Sequence, residues 1–213
     1  MNQQSFGAIS FLFAVLMCAF TNRTIAQGPG DGVPGAHRAI VETSMGNFEI
    51  DLYAEDAPKT VENFMKLADR KYFDGVRFHR VVRNFVIQTG DPNSKDKKKM
   101  ELWGQGGESA WGKEFADELN PKTPSFKAGY MKGVVAMANK GPNTNTSQFF
   151  IMLRDNTTLP KNYTIFGKVV KGIEVVEKIG QVDIDPQPDG RPKTDVIVKK
   201  IQIMHSGGPA AKK

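Results

Sequence analysis

Three histidines and one cysteine are the usual candidates for group chemistry in this sequence, and they are poorly placed for it. His37 and His205 lie near the two ends of the region that could fold, His79 lies between them, and Cys18 sits in an apolar N-terminal run. No spacing among them matches a metal site, which would need three or four converging ligands. A Ser-His-Asp triad would have to use His79, and no nucleophile-elbow motif accompanies it. Gly107-Glu-Ser-Ala-Trp-Gly112-Lys113 follows a phosphate-binding loop until Glu114 replaces the Ser or Thr that should meet magnesium. Gly30-Asp-Gly32-Val-Pro-Gly35 has dinucleotide-loop spacing, but no strand precedes it. No acid/base pair stands out. Residues of this kind could still catalyse a conformational change, or could simply bind.

The elements that would position such residues can be read from patterning. The chain has 213 residues, 39% hydrophobic and 24% charged, which suits one globular domain. Residues 38–43 and 47–53 read as strands around a turn, with Phe48, Ile50 and Leu52 on one face. Pro58 suits the first turn of a helix in which Val61, Phe64, Met65 and Ala68 recur at helical spacing, with Gly75 just beyond it. Further strand-like runs are 76–82, 84–89, 133–138, 147–153, 164–170 and 196–204, and a second short helix fits 173–179. Strands and helices do not alternate, which argues against a doubly wound parallel sheet. A mainly β fold is expected: a closed eight-stranded antiparallel barrel capped by two helices, since closure removes exposed edges. Residues 90–132 read as one long irregular connection, a kind that is often functional.

The N-terminal residues 5–20 are almost wholly apolar and read as the core of a secretory signal ending near Ala26. No Lys or Arg precedes them, and an uncleaved anchor is the alternative. Cleavage would remove Cys18, so the mature chain would have no disulfide with which to report its compartment. Residues 1–26 are thus expected to be a signal peptide, 27–37 a flexible linker, 38–205 the domain and 206–213 a flexible tail. The reading places the protein outside the cytoplasm, periplasmic or secreted, or in the ER lumen of a eukaryote. The net charge of +6 serves solubility. The Lys95-Asp-Lys-Lys-Lys99 tract reads as a solvated loop, and no nucleic-acid partner is expected from it.

Two segments carry a family pattern. One is Phe78-His-Arg80-Val-Val-Arg-Asn-Phe85-Val86-Ile-Gln88-Thr-Gly90-Asp91; the other is Met137-Ala138-Asn139-Lys140-Gly-Pro-Asn-Thr-Asn-Thr-Ser-Gln148-Phe149-Phe150-Ile151. Ala57–Phe64, Gly104–Ser109 and Phe166–Val169 support them in the same order. Together they resemble the cyclophilin peptidyl-prolyl isomerases over residues 38–205. The resemblance implies an eight-stranded barrel with two helices, rotation of Xaa-Pro bonds in polypeptide clients, no cofactor and no metal. A monomer is expected, with no stable membrane insertion once the leader is cut. Carried over position by position, the catalytic set would be Arg80, Phe85, Gln88 and Gln148. Val86, Ala138, Asn139, Phe150, Leu159 and Tyr163 would bind substrate.

These residue types suit bond rotation. Twisting the prolyl bond takes its nitrogen lone pair out of resonance. Arg80 could donate to that nitrogen only in the twisted state, with Gln88 orienting the guanidinium. Phe149 should face the core, because strand neighbours alternate. His79 should be a hydrogen-bonded structural residue, and Trp103 and Trp111 packing residues of their loops. Thr158, Tyr163, Val86 and Lys140 depart from the commoner family residues, Trp, His, Met and a small residue respectively. Thr158 makes tight cyclosporin binding doubtful, and Lys140 adds positive charge beside the groove.

Overall fold

The computed structural model describes residues 1, 37–186 and 190–205; the expected signal peptide beyond its first residue, the linker up to residue 36, the tail and the Gly30–Gly35 pattern lie outside them. Alternation of apolar and polar residues makes the first hairpin, β1 (His37–Thr43) and β2 (Gly46–Leu52), with Phe48, Ile50 and Leu52 buried as expected. The remaining strands are β3 (Arg80–Val82), β4 (Val86–Thr89), β5 (Val134–Met137), β6 (Phe149–Met152), β7 (Ile165–Lys171) and β8 (Val198–His205). All eight form one antiparallel sheet in the order β3-β4-β6-β5-β7-β2-β1-β8.

The ladder order leaves β3 and β8 at its ends. They do not pair along their length as a fully closed barrel would require. The chain beside them meets at an antiparallel bridge between Arg77 and Ile197. There Gly75 N–H donates to Val198 C=O (2.8 Å), Val198 N–H to Val76 C=O (2.8 Å) and Phe78 N–H to Val196 C=O (2.9 Å).

The two expected helices are α1 (Pro58–Asp69) and α3 (Ile173–Ile179). In α1 the buried stripe is Thr60, Val61, Asn63, Phe64, Leu67 and Ala68, so Leu67 rather than Met65 turns fully inward. Ala57 cannot cap this helix with its side chain. The carboxylate of Glu118 does so from far along the chain, accepting from the N–H groups of Lys59 (3.0 Å) and Thr60 (2.8 Å) and from Thr60 Oγ1 (2.8 Å). A negative group there also meets the positive end of the helix dipole. Six fully buried phenylalanines build much of the core. Phe64 stands 5.4 Å from Phe73, 5.6 Å from Phe149 and 5.4 Å from Phe166, ring centre to ring centre.

The stretch 90–132 is more ordered than its composition suggests. It holds two 3-10 turns, Pro92–Lys95 and Lys97–Leu102, and a one-turn helix α2 (Pro124–Ala128). The lysine tract lies on the 3-10 turns, with Lys97 paired to Asp195 at 2.9 Å. Trp103 packs there with the guanidinium carbons of Arg77 and Arg191 each 5.5 Å from its ring centre. Trp111 is partly exposed and lies edge-on to Phe115 at 5.4 Å.

Candidate active site

Strand pairing sets the site's first row. Arg80 on β3 is the direct partner of Gln88 on β4, and Gln88 is the partner of Phe150 on β6. Alternation puts these side chains on the face opposite Val81, Ile87, Phe149 and Ile151, which are buried in the main core. Phe149 is therefore a core residue, as its strand position requires, and Phe150 belongs to a second apolar cluster.

That second cluster has Val86, Tyr130, Val134, Ala136, Phe150, Met152 and Ile165 buried within it. Phe85, Ala138, Leu159 and Tyr163 pack against it while staying partly accessible. The Tyr163 ring meets Phe150 edge-on at 5.5 Å. The structure thus brings every apolar residue picked from the sequence onto one patch: Phe85, Val86, Ala138, Phe150, Leu159 and Tyr163.

The polar residues form a chain of hydrogen bonds beside it. Arg80 Nη1 donates to Gln88 Oε1 (3.3 Å), and Gln88 Nε2 donates to Gln148 Oε1 (2.8 Å). Gln148 Nε2 donates in turn to the carbonyls of Gly104 (2.9 Å) and Gly106 (2.6 Å). The loop carrying those carbonyls hangs on the buried Asp91 carboxylate, which accepts from the N–H groups of Gly104, Gly106 and Asn93. Gly106 has to be glycine, because a Cβ there would collide with that carboxylate. No helix directly follows Gly107–Lys113, so that run does not build the phosphate-binding loop its spacing partly follows.

A cavity of about 270 Å³ opens next to this relay, lined by Gln88, Gln148, Gly107, Lys113, Asn139 and Lys140 among others. Ala138 lines the cavity and also packs on the apolar cluster, so the two compartments adjoin there. The Asn139 side chain is committed within the protein: Nδ2 donates to Asn162 C=O (3.0 Å) and Oδ1 accepts from Gly141 N–H (3.3 Å). Lys140 Nζ reaches the Gln105 carbonyl at 2.9 Å, and Thr158 is exposed.

His79 lies behind Gln148 and is buried. Neither ring nitrogen has a partner in strict hydrogen-bond geometry, but looser hydrogen bonds reach the Arg77 main chain and the Gln148 side chain, in keeping with a structural residue. Burial pushes its pKa down to about 4; the nearby Asp91 charge pulls the other way without prevailing. The ring is therefore neutral near pH 7 and does not supply acid/base chemistry.

The sequence did not point to Tyr130, Asp91, Val134, Met152 or Ile165. Asp91 closes the first family segment and could have been assigned from it. The others carry no spacing signal, because their partners lie on distant strands. Among the described residues, no three His, Cys, Asp or Glu side chains converge as metal ligands would. No helix among them is long and apolar enough to cross a membrane.

Comparison with known proteins agrees with this geometry. The family model described as cyclophilin type peptidyl-prolyl cis-trans isomerase/CLD matches residues 38–203. A peptidyl-prolyl cis-trans isomerase-like 1 of Neurospora crassa is 44% identical over 164 residues, covering 77% of this chain and 92% of its own. Its Mus musculus counterpart is also 44% identical, over 160 residues, covering 75% and 88%. A crystal structure of a Cryptosporidium parvum cyclophilin type peptidyl-prolyl cis-trans isomerase, determined in the presence of the dipeptide Ala-Pro, superposes with a TM-score of 0.69. It is 32% identical and covers 78% of this chain and 98% of its own. The match spans both site segments and every strand that carries them, and on that ground the chain belongs to the cyclophilin-type peptidyl-prolyl cis-trans isomerases and is an enzyme of that kind.

Proposed function

We propose that this enzyme rotates Xaa-Pro bonds in polypeptide clients with Arg80 as the donor to the prolyl nitrogen. The observation that carries the assignment is the relay from Arg80 through Gln88 and Gln148 to the Gly104 and Gly106 carbonyls, set beside an apolar patch. The Cryptosporidium parvum relative studied with Ala-Pro supports a proline-containing peptide as substrate.

The barrier to overcome is roughly 18–20 kcal/mol, the resonance cost of twisting an amide. An acceleration of about 10⁵ requires lowering it by roughly 7 kcal/mol. One hydrogen bond from a charged donor contributes roughly 1.5–3 kcal/mol. Arg80 therefore supplies part of the effect, and only in the twisted state, where the nitrogen becomes an acceptor. The remainder comes from holding the substrate still. Phe85, Val86, Phe150, Leu159 and Tyr163 seat the proline ring. The committed side chain of Asn139 leaves its main chain, beside Ala138, to pair with the peptide. Gln88 and Gln148 keep the guanidinium from swinging to solvent, so little reorganisation is needed as the bond turns.

The same reading treats the Arg77–Ile197 bridge as the seam that closes the barrel, and the enzyme as a monomer. It assigns the enzyme to protein folding outside the cytoplasm, a role supported by the apolar run at residues 5–20. N-terminal sequencing of protein recovered from the extracytoplasmic fraction should begin near Gln27; recovery of the intact chain in the cytosol would remove the export assignment.

A protease-coupled or NMR exchange assay on an Ala-Pro peptide tests the mechanism. Rapid exchange that is largely lost in Arg80→Ala is expected. A wild-type protein that binds the peptide without accelerating exchange would instead be a binding module with this fold.

A further inference from the structure

Leu159 and Tyr163 reach the apolar patch from a segment that is otherwise mostly exposed: Arg154, Asp155, Thr157, Thr158, Pro160, Lys161 and Asn162 all face solvent. Such a segment does not hold an aromatic ring in place by its own packing. Something buried has to fix it.

Tyr130 is in position to do so. It is almost wholly buried, in the connection between α2 and β5. Its hydroxyl accepts from the Tyr163 N–H at 2.9 Å and donates to the Tyr163 C=O at 3.0 Å. A phenol has one proton to give and lone pairs to share. Here both capacities go to the same residue, as a neighbouring strand would pair with it. The hydroxyl thus extends the pairing of Tyr163 two residues before β7 begins. Burial pushes the Tyr130 pKa up to about 12, so the proton needed for the Tyr163 carbonyl is present at physiological pH.

The main chain of Tyr130 serves the other end of the segment. Asn156 N–H donates to Tyr130 C=O at 2.9 Å in an isolated antiparallel bridge. Asn156 Oδ1 then accepts from the N–H groups of Thr158 (3.0 Å) and Leu159 (2.8 Å). The ring of Tyr130 packs below, 6.4 Å from Phe150 and 6.3 Å from Tyr163.

We propose that Tyr130 is a positioning residue for isomerisation: its hydroxyl clamps both main-chain groups of Tyr163 and so holds that ring against Phe150 at the edge of the proline seat. The inference rests on the reading above that Tyr163 contacts substrate. Tyr130 touches only the protein, and it acts by removing freedom that would otherwise be lost when the bond twists.

The test is a double-mutant cycle with Tyr130→Phe and Tyr163→Ala, each measured for kcat and KM on an Ala-Pro peptide and for thermal stability. Phe keeps the buried ring and removes only the hydroxyl. Tyr130→Phe is expected to lower kcat/KM about tenfold, mostly in kcat, which corresponds to about 1.4 kcal/mol. In the Tyr163→Ala background the same change should cost less than about twofold, because no ring remains to be positioned. Hydrogen exchange at the Tyr163 amide should speed up in Tyr130→Phe, with the β6 amides unchanged; a general loss of stability would move both.

Wild-type kcat/KM in Tyr130→Phe, an equal loss in both backgrounds, or unaltered exchange at the Tyr163 amide would each overturn the proposal and leave the substrate reading standing. Full activity in Tyr163→Ala is a different result: it removes Tyr163 from the proline seat and the role of Tyr130 with it.

Discussion

Gln88 donates through Nε2 to Oε1 of Gln148 at 2.8 Å, and this one bond fixes the orientation of both amides. Gln148 must spend its NH₂ on the Gly104 and Gly106 carbonyls, so only its oxygen can face Gln88. Gln88 must then turn its own oxygen toward Arg80. A loop more than forty residues from Gln148 in sequence thereby dictates which atom the Arg80 guanidinium meets.

Reversing that polarity should be worse than deleting it. Gln148→Glu places carboxylate oxygens against two carbonyls, whereas Gln148→Ala only removes the bonds. We expect Gln148→Glu to lose roughly 1–3 kcal/mol more stability than Gln148→Ala in urea unfolding. Both should lower kcat/KM.

Arg80→Lys should not rescue Arg80→Ala. On the proposed mechanism, the relay and the prolyl nitrogen need two directions of donation from one planar group, which a compact ammonium does not provide. A fall in kcat of about 100-fold, with KM little changed, is expected for both variants, corresponding to roughly 2.7 kcal/mol. Activity of Arg80→Lys within threefold of wild type would contradict it.

Acid should weaken the fold through His79. Its folded pKa of about 4 lies below the ordinary value of 6.5, so the unfolded chain binds the proton more readily between those two pH values. Stability therefore falls as pH drops from about 6.5 to 4, by up to roughly 3 kcal/mol, and this contribution levels off below. The slope should be shallower in His79→Gln, measured by denaturant midpoints across that range.

Glu118→Ala should destabilise the protein while sparing chemistry. It removes the distant carboxylate that caps α1, and loss of a cap costs roughly 0.5–2 kcal/mol. Unfolding midpoints should fall, with kcat on Ala-Pro peptide near wild type.

Lys140 should bias substrate choice. Its ammonium lines the cavity beside Asn139 and rests on the Gln105 carbonyl. Lys140→Ala is expected to lower kcat/KM severalfold more on Glu-Pro than on Lys-Pro peptides, and added salt should shrink the difference, as screening requires. Equal effects on both peptides would sink the idea.

Alternation and helical spacing are local, and they located β1, β2, α1 and α3 and turned Phe149 inward. The motif around Arg80 and that around Gln148 named the residues that now share the apolar patch and the relay. The 3-10 turns of the lysine tract and the short α2 were not legible, because their composition is that of a loop. Their order comes from partners elsewhere, such as Asp195 for Lys97 and Asp56 for the Ser125 N–H.

By itself, then, the sequence determined the strand and helix pattern, the family and the chemical types at the site. The tertiary structure alone decided how those groups are aimed. It joined Arg80 to Gln88 across a hairpin, Gln148 to the Asp91-held loop, and Tyr130 to Tyr163 over 33 residues. The physical reason is that hydrogen-bond direction depends on which atoms meet in space, and periodicity along a chain carries no record of that.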